Sequence, residues 1–351
     1  MRKNTQYLKV AVVTHARFAG PNSHWYEDEN LKKALHKAGH LAEIVDWQNE
    51  TIDWLSYDRI FLSSPWNIPY ASRDFRAWLD RCESDGRKRL RNPRSVIDYG
   101  LIKDVYWADI ISHQNDCGNL SASLVPSIFL RKNDYKNEIL PDLLQNLHRQ
   151  QPENDGLFVI KPLLSSDGYM TRLFSPAPDK REDQKECVTG VTDGAGFIRQ
   201  ILDQSDDLEG CIIQPYMTGI DQGEICLSYI NGECVCCIRK PGGFKSSNTD
   251  ARKLVAAENI PDDVLRLGAQ LGEFLRWKFG PDHPVKHRLD VIYQDNRPVI
   301  SEIELVEPNL NLATLEKYAG SSASRAIFRK LAACIIQGPG ENHETRKTML
   351  C

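Results

Sequence analysis

The chain has 351 residues, about twice the length of a typical domain, so its length predicts two or three units with ample core. Apolar residues make up 41% of it, and no apolar run approaches the roughly 18 residues that span a bilayer, which argues against an integral membrane protein. The 44 Lys and Arg residues against 48 Asp and Glu residues give a net charge of −4, so no global basic field would draw the chain to nucleic acid.

The first 90 residues alternate strands with helices. The hydrophobic pattern predicts strands at 8–14, 41–45 and 59–63, a helix at 27–39, and a second helix around 75–82 that Ser72 caps. This βαβαβ order predicts an α/β domain, residues 1–95, with a doubly wound parallel sheet. Its ligands should bind at the carboxyl ends of the strands, near 14–17 and 63–69.

The pattern changes after Asn92 and Pro93, where hairpin signals become frequent. It predicts an α+β domain with antiparallel sheets over residues 96–336, followed by a polar tail at 337–351. Helices are expected at 98–111, 262–278 and 312–336. Strands are expected at 157–161, 170–174, 211–214, 225–230 and 233–239, with a closing hairpin at 286–305.

The ten cysteines do not suggest a disulfide framework, because the chain is long and residues 8–16 are too short and too poorly flanked for a signal peptide. We therefore expect reduced thiols and a cytoplasmic protein. The tightest cluster, Cys234, Cys236 and Cys237, lacks a second Cys or His pair at zinc spacing. These residues are expected to lie in a strand, buried or half-buried.

The hairpin at 288–304 carries the strongest chemical signal. Glu302 and Glu304 stand two apart on a strand and face the same way. If the turn is a three-residue loop centred on Asn296, Asp290 lies opposite Glu302, and three carboxylates crowd one face. Like-charge repulsion disfavours this unless a cation such as Mg²⁺ neutralises it. The alternative is that this is the solvent-facing side of the hairpin. A two-residue turn would shift the pairing register, so that Glu302 would no longer lie opposite Asp290.

A second signal is Lys161, which ends a predicted strand and precedes the small residues Ser165, Ser166 and Gly168. Such residues can lay backbone N–H groups against phosphate oxygens. The alternative is a solvated surface lysine. The phosphate loop G-x-x-x-x-G-K-[ST] is absent, and no G-x-G-x-x-G follows the first strand, which argues against a dinucleotide-dependent dehydrogenase.

A third signal is the extended, proline-containing link after Gln214, which ends at Glu224. An extended link leaves backbone N–H and C=O groups free to pair with a purine edge, and the acid could accept both ribose hydroxyls. A plain interdomain connection is the alternative.

Taken in order, a helix lysine (Lys103), the Lys161 segment, the link over 214–224 and the carboxylate hairpin resemble the ATP-grasp superfamily. The likeness extends to glutathione-synthetase-like carboxylate–amine ligases, and especially to the branch that contains the D-cycloserine-forming cyclo-ligase. That branch typically shows Ser-Pro-Trp, Asn-Pro and Glu-Ile-Glu followed by Glu-Pro. The matching positions here are 64–66, 92–93, 302–304 and 307–308.

The resemblance implies a site in which each group of residues has one task. Nucleotide phosphates would be contacted by Lys103, Lys161, Ser165, Ser166 and Gly168, adenine by Gln214, Tyr216 and Met217, and ribose by Glu224. The Mg²⁺ ligands would be Asp290, Glu302 and Glu304. The γ-phosphate and the substrate carboxylate would face Arg239, Lys240, Lys245 and Arg288, and substrate specificity would reside near Thr14, His15, Ser63, Trp66 and Asn309.

Two features of this implied site stay open. Lys245 stands where relatives carry an arginine, and a lysine lacks the bidentate fork that suits a carboxylate. Trp66 follows a strand that should be central in the parallel sheet, so it could either wall the substrate pocket or anchor the packing between the domains.

The resemblance implies an ADP-forming ligase that uses ATP and Mg²⁺. The γ-phosphoryl group would pass to a carboxylate to give an acyl phosphate, which an amine attacks to form an amide or peptide bond. The alternatives are ring closure within one amino-acid derivative and a non-catalytic ATP-binding sensor. We expect small amino-acid-like substrates, neither nucleic acid nor membrane as a partner, and leave a homodimer open.

Overall fold

The computed structural model describes residues 7–17, 25–113, 120, 123–152, 156–166, 168–176, 193–243 and 251–337. Its strands form three sheets: one of four parallel strands, one of five antiparallel strands and one of four antiparallel strands. The predicted mixed α/β architecture, with a parallel sheet first and antiparallel sheets after it, is confirmed.

The parallel sheet has the strand order β2-β1-β3-β4. Both of its faces are covered, because alternate residues of β1 enter two different hydrophobic cores: Val10 and Val12 one, Ala11 and Val13 the other. The elements of this part are β1 (Lys9–Thr14), α1 (Tyr26–Lys37), β2 (Leu41–Asp46), β3 (Arg59–Leu62), α2 (Ser72–Cys82) and β4 (Leu90–Arg91).

The predicted cap of α2 is wrong. Ser72 is the first helical residue, and the capping position is Ala71, which makes no side-chain capping bond. The Ser72 hydroxyl instead donates to the Asp207 carbonyl at 2.6 Å. This serine therefore ties the first domain to the second rather than closing its own helix.

The predicted helix at 98–111 is two helices, α3 (Arg94–Leu101) and α4 (Lys103–Ser112). Ile102 between them has an extended backbone, with φ −121° and ψ 111°. A Cβ at Gly100 would lie 2.6 Å from the Cβ of Leu305, so α3 packs closely against the chain that follows the carboxylate hairpin. The break makes Lys103 the first residue of α4.

The predicted last helix is also two, α9 (Leu312–Ala319) and α10 (Ser321–Ile336). Gly320 separates them with φ +83°, a value that disfavours side chains other than glycine's. Leu312 and Phe328 share a core with Val10 of the parallel sheet. The end of the described chain thus covers one face of the sheet that the first residues build.

Two antiparallel sheets form the second part of the molecule. The smaller has the order β5-β8-β6-β7 and the larger β11-β10-β9-β12-β13. None of the described helices combines the length and the apolar character that a membrane crossing requires. The remaining elements are β5 (Ile128–Leu130), α5 (Leu140–Gln150), β6 (Phe158–Pro162), β7 (Arg172–Phe174), α6 (Gly194–Asp203), α7 (Ser205–Leu208), β8 (Cys211–Pro215), β9 (Glu224–Ile230), β10 (Glu233–Lys240), β11 (Lys253–Leu254), α8 (Asp262–Phe279), β12 (Lys286–Gln294) and β13 (Arg297–Glu304).

The predicted burial of the cysteine cluster is confirmed. Cys236 and Cys237 are buried in β10, and Cys234 is half-buried. Burial raises the pKa of the Cys236 thiol well above its ordinary value. Cys237 and Cys236 belong to two hydrophobic cores, so the cluster contributes to packing.

The carboxylate hairpin reaches its predicted pairing by an unpredicted route. Its turn is not a three-residue loop but a two-residue turn, in which Asp295 and Asn296 have φ of 52° and 57°. That turn alone would place Asp290 opposite Ser301. A β-bulge at Ser301 restores the expected pairing of Asp290 with Glu302.

The two parts of the chain are joined by the carboxamide of Asn92, which is buried. Its nitrogen donates to the carbonyls of Lys286, at 2.8 Å, and Leu305, and its oxygen accepts the Lys286 N–H at 2.9 Å. The three bonds fix the start of β12 and the end of β13 against the first domain.

We expect Asn92→Ala to lower the free energy of unfolding by about 3 kcal/mol, because it leaves buried backbone groups without partners. Urea unfolding of the full chain measures this. Asn146→Ala, on the exposed face of α5, is the control and should change stability by less than about 0.5 kcal/mol. Equal stability of the two variants would contradict a structural role for this carboxamide.

Candidate active site

One face of the large sheet gathers the predicted ionisable residues. Directly paired residues of antiparallel strands point to the same face, so the register alone decides which side chains meet. Three cross-strand rows result: Lys240 with Glu224; Cys226 with Asp290 and Glu302; and Ser228 with Arg288 and Glu304.

Asp290 is the centre of this face and is 1% exposed. Arg288 donates to both of its carboxylate oxygens at 2.7 Å, and the Lys240 ammonium lies 2.8 Å from Oδ2. Although burial opposes ionisation, these two cations hold the pKa of Asp290 well below its usual range. Asp290 is therefore a carboxylate at neutral pH.

Glu302 lies next to Asp290 and meets the two lysines that the sequence singled out. The Lys103 ammonium is 3.2 Å from Glu302 Oε1. Burial raises the pKa of Glu302, but Lys103 and Lys161 outweigh it and hold that pKa below its ordinary value. Lys161 is itself half-buried in β6, and burial lowers its pKa.

Lys103 links three predicted parts of the site. Besides its ion pair with Glu302, its ammonium donates to the carbonyl of Ser165 at 3.2 Å and to the hydroxyl of the same residue at 3.3 Å. The small-residue segment turns just beyond, where the Ser166 carbonyl accepts the Tyr169 N–H and Gly168 has φ +71°. The start of α4 thus holds this segment beside the face that carries the predicted metal ligands.

Glu304 differs from its two neighbours. It contacts the Arg288 guanidinium, yet burial together with the charges of Asp290 and Glu302 raises its pKa. Without a further cation, this carboxyl therefore tends to keep its proton. A divalent cation beside it would supply the missing positive charge.

The oxygens of Asp290, Glu302 and Glu304 lie within 4.8 Å of one another. An all-oxygen, all-carboxylate donor set suits Mg²⁺. A second group at the same spacing, Glu224, Cys226 and Asp290, includes a thiol whose pKa burial raises well above its ordinary value. A neutral thiol does not suit a hard cation, so the first group is the better candidate.

A narrow cleft opens between the large and small sheets. Gln214 faces it from the small sheet and is fixed by a 2.8 Å bond from its amide nitrogen to the Ser127 hydroxyl. The cleft is lined by Lys103, Tyr106, Trp107, Ser127, Phe129, Lys161, Ile212, Gln214 and Ser301. Aromatic and apolar side chains line it together with two lysines, a combination that can hold an adenine nucleotide.

The link after Gln214 keeps fewer backbone groups free than an extended segment would. The Tyr216 N–H donates to the Leu157 carbonyl at 2.9 Å, and the Met217 carbonyl accepts the Ile220 N–H at 3.0 Å. The Met217 N–H has no acceptor among the described residues. It is the donor that this link offers to a purine ring.

Glu224, predicted to bind ribose, lies within the charged face. It accepts the Lys240 ammonium at 2.7 Å and the Ser301 hydroxyl. With Glu224 counted, the face holds four carboxylates, and four cations surround them: Lys103, Lys161, Lys240 and Arg288. The protein's own cations thus offset part of the predicted repulsion, and the raised pKa of Glu304 reflects the part that remains.

The structure does not bring every predicted cation to this face. Arg239 pairs with Ile225 and precedes Lys240 directly on β10. Because neighbouring residues of a strand point to opposite faces, its side chain lies on the other face of the sheet. Its exposed guanidinium donates to the Gln222 carbonyl at 3.4 Å. Lys245 lies outside the described residues.

The predicted substrate residues lie along the seam between the two domains. Thr14 is fully buried, and its hydroxyl forms a 2.8 Å hydrogen bond with the hydroxyl of Ser64. It therefore has a structural place beneath the seam. Trp66 donates from Nε1 to the Glu307 carbonyl at 3.2 Å and meets the Trp25 ring edge-on at 4.6 Å. The Asn309 carbonyl accepts from Arg288 at 3.1 Å.

Sequence reasoning missed Lys286, a buried lysine at the same seam. Its ammonium donates to the carbonyls of Ser63 and Pro308, both at 3.1 Å, and lies 4.8 Å from the centre of the Phe61 ring. Burial lowers its pKa to about 8. Lys286 stands two residues before Arg288 on the same strand, so the sequence could have indicated that both side chains share one face.

Two acids at the start of α1 were also missed. Glu27 accepts the N–H groups of Leu310 and Leu312 at 3.1 and 3.0 Å. Asp28 accepts the Ser64 hydroxyl at 2.5 Å, and burial raises its pKa to about 6. Acidic residues in the first turn of a helix are common, so the sequence offered no reason to single them out.

Residues 10–92 match the family model of the N-terminal domain of D-cycloserine synthetase DcsG. The cycloserine biosynthesis protein DcsG of Streptomyces lavendulae is 24% identical to this chain over 308 residues, which cover 83% of this chain and 89% of that protein. Both matches agree with the branch that the motifs predicted.

The crystal structure of D-cycloserine synthetase DcsG superposes with a TM-score of 0.69 at 23% identity, covering 92% of this chain and 99% of that one. D-alanine–D-alanine ligase from Bacillus anthracis, complexed with ATP, superposes with a TM-score of 0.57 at 14% identity, covering 94% and 95%. The chain thus has the fold of ATP-grasp ligases, and its predicted resemblance to them is confirmed. The relatives support the predicted enzyme class, an ADP-forming ligase.

The raised pKa of Asp28 predicts a pH-dependent stability. Because the folded state holds this proton more tightly than the unfolded chain, the stabilisation from Asp28 is complete below about pH 4 and is lost as the pH rises through about 6. A shift of about two pKa units corresponds to about 3 kcal/mol. Relative to wild type, Asp28→Asn should therefore gain about that much stability between pH 4 and 7.

Urea unfolding at pH 4, 5, 6 and 7 measures this difference. Asp134→Asn, at an exposed position, is the control and should follow wild type at every pH. Parallel curves for wild type and Asp28→Asn would contradict the raised pKa.

Proposed function

We propose that the chain is an ATP-dependent carboxylate–amine ligase acting on a small amino-acid-like substrate through an acyl phosphate. The observation that carries this proposal is the face on which Asp290, Glu302 and Glu304 converge, with Lys103 and Lys161 beside it. It combines a divalent-cation site with cations for a polyphosphate beside the cleft between the two antiparallel sheets.

The nucleotide would lie between the two antiparallel sheets. Its purine edge would meet the Met217 N–H, and its phosphates would reach Lys161 and Lys103 at the inner end of the cleft. Binding would relieve the cost of burying the Lys161 ammonium, whose lowered pKa reflects desolvation.

Mg²⁺, when bound by Asp290, Glu302 and Glu304, would supply charge neutralisation at the phosphoryl oxygens. Arg288 and Lys240 lie on the same face and already contact Asp290, so their cationic groups flank the position where the transferred phosphoryl group would carry its charge. These residues act by position and charge, which is the main requirement of phosphoryl transfer.

Ring closure within one substrate is the second candidate. It is favoured by the similarity to D-cycloserine synthetase, which spans the N-terminal domain as well as the whole fold. Both candidates share the activation of a carboxylate, and they differ in whether the attacking amine belongs to the same molecule. A non-catalytic ATP sensor is disfavoured because every candidate metal ligand and both phosphate lysines are present.

The chain should bind ATP with Mg²⁺ and melt at a higher temperature in its presence. At a ligand concentration 100-fold above Kd, binding adds about 2.7 kcal/mol to the stability. Lys161→Met should reduce the gain by more than half, because it removes a phosphate contact. Lys132→Met, an exposed lysine on another surface, should keep the full gain. Absence of stabilisation of the wild type by ATP, ADP or GTP at millimolar concentration with Mg²⁺ would refute nucleotide binding.

Glu302→Gln should lower substrate-dependent phosphate release by at least about 100-fold, because it removes a charged metal ligand. The melting temperature of the apo protein should stay the same, since the lost ion pair with Lys103 is offset by less repulsion from Asp290. Phosphate release with a panel of amino acids and differential scanning calorimetry give the two readouts. Glu138→Gln, an exposed acid, is the control, and full activity of Glu302→Gln would mean that this face does not bind the catalytic metal.

A further inference from the structure

A loop of the first domain touches the small-residue segment of the second through a pair of aromatic rings. This loop follows β3 and ends in a short 3-10 helix, Ile68–Tyr70, directly before α2. Ile68 is buried in the core of the first domain, whereas Tyr70 is 62% exposed. The ring of Tyr70 meets that of Tyr169, with the ring centres 4.3 Å apart and the planes at 54°. Because Tyr169 directly follows the small-residue segment, this contact joins the two domains.

The loop that carries Tyr70 is fixed within the first domain. The Tyr70 N–H donates to the Asn67 carbonyl at 3.1 Å, and the side-chain oxygen of Asn67 accepts from Trp47 Nε1 at 2.7 Å. Trp47 is buried in the core of the same domain. The loop also carries Trp66, one of the predicted substrate residues. Tyr70 therefore presents its ring from an ordered support, which lowers the entropy cost of the contact with Tyr169.

The small-residue segment is held at both of its ends. At the first end, the Lys103 ammonium donates to the Ser165 carbonyl at 3.2 Å. At the second end, the Tyr169 N–H donates to the Ser166 carbonyl at 2.9 Å and closes a turn. The contact between Tyr169 and Tyr70 therefore locates the second end of the segment, as Lys103 locates the first.

Further bonds hold the second domain against the first beside this contact. The Ser72 hydroxyl, two residues after Tyr70, donates to the Asp207 carbonyl at 2.6 Å. One turn farther along α2, the Arg76 guanidinium donates to the Glu209 carboxylate at 2.8 Å. Asp207 and Glu209 lie in the chain that leads from α7 into β8. The ring contact thus belongs to a continuous interface between the domains.

The same stretch of chain holds the approach to the small-residue segment. The Leu164 N–H donates to the Leu208 carbonyl at 3.1 Å, and the Leu164 side chain enters the core of the first domain. Beyond the segment, the side chain of Tyr169 packs against the core of the small sheet and against Tyr70. The backbone before the segment is therefore fixed by bonds, whereas the backbone after it depends on where the Tyr169 ring is held.

We propose that Tyr70 is a positioning residue for the nucleotide: through Tyr169 it holds the small-residue segment in the conformation that receives the phosphates. This inference rests on the proposed function, which assigns that segment to the phosphates. A segment that is ordered before the nucleotide arrives loses less entropy on binding, and the apparent affinity rises with the fraction of molecules in the competent conformation. Tyr70 acts through Tyr169 and not on the nucleotide itself.

The test titrates the full chain with a non-hydrolysable ATP analogue at a fixed, millimolar Mg²⁺ concentration and measures Kd by calorimetry. Loss of an aromatic pair should raise the Kd of Tyr70→Ala about 3- to 10-fold. Tyr70→Phe keeps the ring and should stay within about twofold of wild type. Tyr318→Ala removes a ring of similar exposure, 51%, from α9 and is the matched control with an unchanged Kd.

A double-variant cycle determines whether Tyr70 acts through Tyr169. Tyr169→Ala should raise Kd at least as much as Tyr70→Ala, because its ring also leaves the core of the small sheet. Both variants remove the same ring contact, so the variant that combines them should bind no more weakly than Tyr169→Ala alone. Independent effects of the two rings would instead multiply.

The melting temperature without nucleotide separates positioning from general stability. Because the Tyr70 side chain is largely exposed, Tyr70→Ala should change this temperature by no more than about 3 °C. A merely structural role would lower the melting temperature and leave Kd unchanged.

Equal Kd values for wild type and Tyr70→Ala would overturn the inference. So would multiplied effects in the double variant, or a Tyr70→Phe variant that binds as weakly as Tyr70→Ala. A wild type that binds neither ATP nor its analogue in the presence of Mg²⁺ is a separate result, and it would refute the proposed function itself.

Discussion

Charge compensation on one buried face of the large sheet is the constraint on which the site depends. Asp290 could not lie 1% exposed beside Glu302 and Glu304 unless cations shared that face. Arg288 stands two residues before Asp290 on the same strand, and Lys240 reaches it from β10. The strand pairing that brings the acidic side chains together therefore also brings cationic side chains to the same face. The arrangement of the site is set before a metal or nucleotide binds.

The same constraint explains why the pairing register matters so much. The two-residue turn at Asp295 and Asn296 would by itself offset the strands by one residue and separate Glu302 from Asp290. The bulge at Ser301 removes that offset just before Glu302 and Glu304, the candidate metal ligands. It also gives the Ser301 hydroxyl a partner in Glu224, so the irregular residue is itself part of the charged network.

Hydrogen bonds between side chains and backbone groups connect the active face to the first domain. Asn92 and Trp66 each hold a carbonyl near the end of β13, Lys286 donates to the Ser63 carbonyl, and Glu27 accepts two N–H groups farther along. Because these bonds cross the seam, they hold the predicted substrate residues beside the carboxylate hairpin. A ligase needs this coupling, since the carboxylate to be activated must meet the phosphoryl donor at a fixed distance.

The sequence by itself determined the parallel sheet, the antiparallel second domain and the shared face of Glu302 and Glu304, because period-two and period-3.6 patterns report local geometry directly. It also identified Lys103 and Lys161 through their order along the chain. It could not place Lys103 at the start of a helix, since the pattern predicts one continuous helix over 98–111, whereas the backbone is extended at Ile102.

Only the tertiary structure decided which residues meet across strands and across the seam. It selected Lys240 over Arg239, because strand register assigns neighbouring residues to opposite faces. It also revealed Lys286, whose surroundings are carbonyls supplied by distant segments. Such roles leave no periodic signal, since a single buried charge is defined by its surroundings and not by its neighbours in sequence.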